Sequence, residues 1–514
     1  MASFRPQHVR TRSVANLAET FAGELRGDPA VTFSGVTSSS SAIVPGDLFV
    51  ALPGASAHGV RYVADAISAG AVAVLTDAAG AEQLTEALVP VIVIEHPREA
   101  MGLVSSWLYE TGRFAEDPER QLIFGVTGTN GKTSVSYLLA AIAGHLGQAT
   151  ALSSTAERRV GEEVLVSGLT TPESNEIHAL LAAARERGIH TAVLEVSAHA
   201  LTRKRVDGVL FDVVGFSNFS QDHLDDYADM ESYYAAKREL FSPDRARRGV
   251  INVDDEWGRR LVGESRIPVT TLSLSTSSDA DWLVRLIDER ADHTRFALEH
   301  SGRSIEVTVP LLGAFSATNA ALAIVMFVEA GFDLDSIAEA LSQDGLIDVY
   351  IPGRAEAVSG ERGPLVLIDY AHTPDAYEQL LAALGRVARG RIVMVFGADG
   401  DRDSSKRAEM GAIAARGAST LVVTDYHPRF EDPASIRAAL IAGARAAVPD
   451  REIHEIADPR EAFRAALALA SDDDIVLYAG PGHEDYHEVA GQKIPYSARA
   501  DARAALREAG WLDD

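Results

Sequence analysis

Residues 121–140 read QLIFGVTGTNGKTSVSYLLA, an apolar run, a turn punctuated by glycine, and Lys-Thr-Ser opening an amphipathic helix. This is the layout of a phosphate-binding loop: glycines let the backbone approach an anion, and the N–H groups at the helix start point at it. Lys132 adds a point charge and Thr133 a hydroxyl able to ligate a metal. The spacing departs from the strict G-x-x-x-x-G-K-[ST] pattern, because Val126 stands where its first glycine would lie and Gly125 is one residue earlier. A chain built on such a turn is expected to be α/β, with the loop at the carboxyl end of a sheet strand.

Of the 47 Lys and Arg residues only five are lysines, at 132, 204, 237, 406 and 493. Arginine serves wherever a generic cation suffices, so each remaining lysine is a candidate for chemistry that arginine cannot perform. The formal net charge of −27 disfavours nucleic acid as a partner. With no cysteine, disulfides, zinc–thiolate sites and thiol catalysis are excluded, and the composition fits a reducing cytoplasm. No apolar run reaches the length of a signal peptide or a membrane span, so a cytoplasmic protein without membrane insertion is expected.

At 514 residues the chain exceeds one ordinary core. Residues 1–100 alternate short strands and helices and form a small α/β region, with Pro45-Gly46-Asp47 as a turn and Ser38 to Ser41 as a loop, either solvated or ligand-binding. Residues 101–350 hold apolar strands that end in polar clusters: IFGVTGTNGKT, TAVLEVSAHAL, VVGFSNFSQDHLDDY and GVINVDDE. On an open sheet such clusters converge on one face. Glu195 is placed like the acid that holds a nucleotide's magnesium, with His199 and His223 as further candidates. Thr170 and Thr171 precede the stiffening Pro172, and Lys237 sits on a short helix among aromatic residues. Residues 351–514 give a cleaner doubly wound pattern, from LVLIDYAHTPDA to DIVLYAGPGHED.

Taken in order, PGDLFVALPG, TGTNGKT, TTP, EVSAHAL, DHLD, AKRELF, INVDDE, IPGRAE, DYAHTPDA, GDRDSSKR and AGPGHE give a chain that resembles the Mur ligases. Within that family the likeness is greatest to the branch that completes the UDP-MurNAc tripeptide. The resemblance implies three domains: an N-terminal UDP-sugar-binding one, a central ATPase-like one and a C-terminal Rossmann-like one that receives the incoming amino acid. It implies ATP and Mg2+ as cofactors, UDP-MurNAc-L-Ala-D-Glu and an amino acid as substrates, and a monomer.

The implied roles follow residue by residue. Gly128, Thr129, Asn130, Gly131, Lys132, Thr133 and Ser134 would cradle the ATP phosphates, and Asn319, Arg354, Asp369 and His372 would complete the nucleotide site. Thr133, Glu195, His223 and Lys237 would surround the metal, Lys237 as a carbamate formed with CO2; Lys132, Glu195, His223 and Lys237 are the implied catalytic set. Ser40, the segment Ala55, Ser56 and Ala57, and Thr170, Thr171, Ser197, Arg203 and Arg205 match positions around the UDP-sugar dipeptide. Arg402, Tyr426, His427, Pro428, Arg429, Gly480 and Glu484 match positions around the amino acid.

Four departures stand out. The family's Asp-Ser-Arg is Ser39-Ser40-Ser41, an expected glutamine is Arg203, and Pro481 replaces a lysine. Members that add meso-diaminopimelate carry Asp-Asn-Pro-Arg where this chain has Tyr426-His427-Pro428-Arg429. The change removes an acceptor and an amide and adds bulk, so ornithine or diaminobutyrate stands beside meso-diaminopimelate as the third residue. Two other readings remain: a different Mur-like ligase, such as a D-Ala-D-Ala-adding or folylpolyglutamate-synthase-like enzyme, and a non-catalytic paralogue that binds ATP or UDP-muramyl peptides.

Overall fold

The strand Leu122–Thr127, which leads into the phosphate loop, lies inside an 11-stranded sheet between Thr191–Glu195 and Phe211–Phe216, parallel to both. A computed structural model describes residues 3–54, 57–84, 88–115, 120–276, 278–341 and 345–513. The pairing register sets Glu195 beside Val126 and Phe216 beside Thr127, so three strands deliver their carboxyl ends to one place. These strands are buried on both faces and read as apolar runs for that reason. One face is covered by the helices Lys132–His145 and Ala314–Glu329, whose Leu138, Ile142, Ile324 and Phe327 share a core with Phe124 and Val193. Ile177, Leu180 and Leu181 of the helix Ser174–Glu186 cover the other, against Ile123, Ala192 and Leu194.

The antiparallel strands Trp282–Glu289, Thr294–His300 and Arg303–Val309 extend this sheet at one edge, and the hairpin Glu157–Val160 and Glu163–Val166 extends it at the other. The N-terminal region carries its own five-stranded sheet, parallel except for the edge strand Glu24–Arg26. Its core takes Met101, Val104 and Leu108 from the helix Pro97–Tyr109. This packing unit therefore runs past the expected boundary at residue 100.

The C-terminal region forms a six-stranded sheet in which Ile475–Ala479 lies between Leu365–Asp369 and Ile392–Phe396. Helices cover both of its faces, as a doubly wound sheet requires. Two of them, Arg407–Gly417 and Pro433–Ala447, cross at Gly411 and Gly443, where an added Cβ would come within 2.0 and 1.9 Å of facing carbonyl oxygens. Among the described residues no helix is long and apolar enough to cross a membrane.

His178 holds the segment that follows the helix Pro97–Tyr109 against the central region. Fully buried, its Nδ1 meets Thr111 Oγ1 at 2.8 Å and its Nε2 meets the Asp207 carbonyl at 2.9 Å. Burial pushes the imidazole down to about 4. The unfolded chain takes up this proton first, so the contribution to stability is complete above about pH 6.5 and is lost as pH falls toward 4. Stability measured by chemical denaturation should fall across that window by about 3 kcal/mol from this group. A His178→Asn variant should show a correspondingly shallower acid slope.

Candidate functional site

The carboxyl ends of the central and C-terminal sheets face each other across a cleft of about 1530 Å³. The phosphate loop forms its floor. Gly128 and Gly131 have φ of 142° and 83°, a backbone that disfavours any side chain, and an added Cβ would come within 2.0 Å of Ser217 Oγ and 2.6 Å of Asn319 Oδ1 respectively. The loop is held from the neighbouring strand's end: the Asn130 N–H donates to Asn218 Oδ1 at 2.9 Å, and Ser217 Oγ donates to the Asn130 carbonyl at 2.6 Å. Lys132 opens the helix and folds back, donating to the carbonyls of Gly128 at 3.1 Å and Thr129 at 2.8 Å.

Lys237 reaches the same carbonyl from the helix Met230–Arg238, donating to Gly128 O at 2.8 Å. It is 1% exposed and lies 4.5 Å from the centre of the Tyr233 ring. Burial pushes its amine well below the ordinary lysine range, and the nearby Lys132 adds to the effect.

Glu195 is fully buried. Its Oε2 accepts from Thr155 Oγ1 at 2.8 Å, whereas Oε1 has no hydrogen-bond partner. Burial pushes the carboxyl up, and Lys132, Thr155, Thr133 and Arg354 pull it back. Among the described residues no group of three or more His, Asp or Glu side chains is gathered that could hold a metal ion. The expected set of Thr133, Glu195, His223 and Lys237 includes only two such side chains, fewer than a protein cage would gather. Mg2+ does not require one, since it characteristically keeps waters and shares one or two carboxylates with substrate phosphates. The unpaired Glu195 Oε1 fits that role.

His223, with φ of 57°, packs between His199 and Tyr233 at ring distances of 4.8 and 5.9 Å. Burial outweighs the attraction of Asp222 and pushes its imidazole down to about 3, leaving the ring neutral and fit for ligation.

From the C-terminal side, Arg354 Nη2 donates to Thr133 Oγ1 at 2.9 Å while its guanidinium lies 4.7 Å over the Tyr370 ring. Asp369 fixes the Arg354 turn by accepting from the N–H groups of Ala355 and Ala371, each at 2.6 Å. His372 Nδ1 meets the Tyr370 carbonyl at 2.7 Å. Asn130 Nδ2 donates across the cleft to Asp375 at 2.8 Å.

The sequence assigns no specific role to two residues that the fold brings together at this cleft. Asp222 and Lys406, each with a side chain only 7% exposed, form a 3.1 Å ion pair that joins the central and C-terminal regions. Burial works against the Asp222 charge, but the Lys406 ammonium outweighs it and holds the carboxyl well below the usual carboxylate range. The signal for Lys406 was the scarcity of lysine; Asp222 lay unremarked beside His223.

Thr170, Thr171, Ser197, Arg203 and Arg205 line the cleft. Thr171 Oγ1 donates to the Glu195 carbonyl at 2.8 Å, and Arg205 Nε donates to Glu173 at 3.0 Å. Ser40 and Ala57 belong to the N-terminal region and are not among the cleft's lining residues; Ala55 and Ser56 lie outside the described residues. Arg402, Tyr426, His427, Arg429 and Glu484 line the far end. There Glu484 Oε2 accepts from Tyr426 Oη and His427 Nε2, both at 2.7 Å. Gly480 supports Tyr426 from behind, and Pro428 lies against Gly400, where an added Cβ would come within 2.0 Å of its carbonyl oxygen.

Three family models match in sequence: the Mur ligase family catalytic domain over residues 32–107, the Mur ligase middle domain over 126–327, and the glutamate ligase domain of Mur ligases over 353–482. The chain is 61% identical over 513 residues, 99% of both chains, to a UDP-N-acetylmuramyl-tripeptide synthetase of Leifsonia xyli. It is 42% identical, over 98% of both chains, to a UDP-N-acetylmuramoyl-L-alanyl-D-glutamate–2,6-diaminopimelate ligase of Streptomyces coelicolor. A solved structure of a ligase with that second name is similar at a TM-score of 0.65 and 29% identity, covering 98% of this chain and all of the other. A MurF structure from Acinetobacter baumannii shares the fold at a TM-score of 0.67 and 17% identity, over 92% and 96% of the two chains.

Removing one partner of a buried ion pair costs about 3–5 kcal/mol, whereas replacing both can be nearly neutral. Lys406→Met should therefore loosen the C-terminal region, read as a larger radius of gyration in small-angle scattering and a lower melting temperature. Adding Asp222→Asn should recover part of the loss. Equal behaviour of the single and double variants would show that the pair does not hold the cleft together.

Proposed function

The chain belongs to the Mur ligase family of ATP-dependent peptide ligases, and from that premise we propose that it joins the third amino acid to UDP-MurNAc-L-Ala-D-Glu. The observation that carries this reading is the meeting of Lys132, Thr133, Glu195 and Arg354 at the phosphate loop, with the buried Lys237 behind them. A γ-carboxylate oxygen of the D-glutamyl residue attacks the γ-phosphorus of ATP, and ADP departs with the electrons of the broken P–O bond. The amine of the incoming amino acid then attacks the acyl carbon, phosphate leaves, and the amine gives up its proton to form a neutral amide.

Each step sets anion against anion, so the site must supply cations and alignment. Lys132 and the helix N-terminus face the transferring phosphoryl group, and Arg354 joins them from the C-terminal side. Mg2+, when bound, would shield the carboxylate from the phosphates, held by Glu195 Oε1 and Thr133 with His223 at the edge. Asn218 and Ser217 keep the loop in shape, and Asn319 lies against Gly131. Thr170, Thr171, Ser197, Arg203 and Arg205 line the wall on which the dipeptide would lie.

Lys237 fits conversion to a carbamate, because CO2 reacts only with a neutral amine and burial favours that form here. The carbamate would turn a cation into a carboxylate-like acceptor, which arginine could not become. Its amine faces Gly128 O and the Tyr233 ring.

The expected outcome is phosphate release that requires ATP, Mg2+, UDP-MurNAc-L-Ala-D-Glu and an amino acid together, with the amide product identified by mass spectrometry. ATP hydrolysis indifferent to the dipeptide would sink the ligase reading. With 13C-bicarbonate, a carbamate carbon signal should appear in the wild type and be absent from Lys237→Arg. Stripping CO2 from the buffer should lower the rate and bicarbonate should restore it.

A further inference from the structure

At the far end of the cleft Arg429 is already engaged. Its Nε donates to Glu488 Oε2 at 3.2 Å, its Nη1 donates to the Gly400 carbonyl at 2.8 Å, and its Nη2 lies 3.1 Å from Asp399 Oδ1. All three guanidinium nitrogens are thus committed, two of them to carboxylates, and the side chain is 17% exposed. The backbone locks this arrangement. Arg429 and His427 have φ of 52° and 38°, the Arg429 N–H donates to the Glu488 carbonyl at 3.1 Å, and the Gly400 N–H donates to the His427 carbonyl at 3.0 Å.

Arg429 therefore faces its own two counter-ions before any substrate arrives, and Glu484 adds a third carboxylate at the inner side, bound to Tyr426 and His427. The other nearby cations have their own partners: Arg402 lies 3.7 Å from Asp225, and Lys493 lies 3.8 Å over the Tyr486 ring on the outer hairpin. The pocket is left with more carboxylate than cation. A free guanidinium at this place would fork onto a carboxylate at the distal end of a substrate. An occupied one would bring that carboxylate beside Asp399 and Glu488, setting like charges side by side, which costs affinity. The buried Tyr426, with its hydroxyl turned onto Glu484, also fills part of the pocket.

Resting on the ligase reading above, we propose that Asp399 and Glu488 determine the amine specificity by occupying Arg429, so that the enzyme takes a diamino monocarboxylic acid, whose distal end is an ammonium without a carboxylate. Glu488 and Asp399 are then specificity-determining residues, and Arg429 is a structural cation that positions them. Rejection of a distal carboxylate works here by unfavourable placement of charge as much as by any new contact.

The test measures kcat/KM for ornithine, lysine, diaminobutyrate, meso-diaminopimelate and homoserine with the full chain, ATP, Mg2+ and UDP-MurNAc-L-Ala-D-Glu. A diamino monocarboxylic acid should be preferred over meso-diaminopimelate by at least about tenfold. Combining Asp399→Asn with Glu488→Gln should shift the ratio of the two kcat/KM values toward meso-diaminopimelate by about tenfold, mainly through KM. A ratio within one variant is insensitive to how much of it folds. The proposal is overturned if the wild type uses meso-diaminopimelate or homoserine best, or if the double variant leaves the ratio unchanged. A parallel reaction with hydroxylamine in place of the amino acid separates this from the reading beneath it. A hydroxamate formed from ATP and the dipeptide upholds the ligase whatever the amine panel gives, and its absence, with no amine turned over, overturns both.

Discussion

One backbone carbonyl receives two lysine amines: Lys132 and Lys237 both donate to Gly128 O, from helices that enter the cleft from different sides. Two buried amines this close, with only a neutral carbonyl between them, do not both hold a proton readily: burial, with the nearby Lys132 charge, favours the neutral form of Lys237. The surroundings are arranged to contain that conflict. Glu195 answers Lys132 from the adjacent strand, and the Tyr233 ring faces Lys237 in place of a carboxylate. The result is a region that is short of negative charge, which the phosphates of a nucleotide would supply. Much of the central sheet's geometry serves this placement, because the parallel register brings Glu195 and the phosphate loop together.

The second requirement is that two sheets remain face to face. Beside the apolar contact of Leu312 and Phe315 with the C-terminal core, polar contacts join them: Arg354 to Thr133, Asn130 to Asp375, and Lys406 to Asp222. Polar seams of this kind lose less than apolar ones when they part and meet water. They suit a cleft that must admit a nucleotide, a long sugar peptide and an amino acid and then exclude solvent. The bidentate pairing of Arg386 with Glu289 adds a contact at the outer margin, where the antiparallel extension of the central sheet meets a C-terminal helix.

The parts of this molecule that were legible in the sequence are the local ones. The phosphate loop announces itself because glycine, lysine and threonine act within a few residues of one another, and the strands ending in Glu195 and Phe216 because each carries an apolar run, AVL and VVGF. The edge strands Trp282–Val309 were not foreseen, since WLVRLIDE carries no record of the sheet edge it joins. Asp222 and Lys406 stand 184 positions apart, and neither has a neighbour in sequence that hints at the other. The occupied state of Arg429 was equally hidden: the sequence displays a free arginine, and only the fold brings Asp399 and Glu488 to it from opposite directions. That Ser40 and Ala57 are not among the cleft's lining residues depends on how the N-terminal region is seated, to which distant contacts such as that of Asn175 with the Val36 carbonyl contribute.

The scarcity of lysine has a practical side. Three of the five, at 132, 237 and 406, lie in the cleft or at its seam, and only Lys204 and Lys493 stand elsewhere on the chain or at its rim. To a reagent that acylates amines, most of this protein's surface is therefore nearly silent, despite its many basic side chains. Covalent labelling would read the state of the catalytic cleft against a background of very few other side-chain amines, a contrast that a chain of ordinary lysine content would bury in noise.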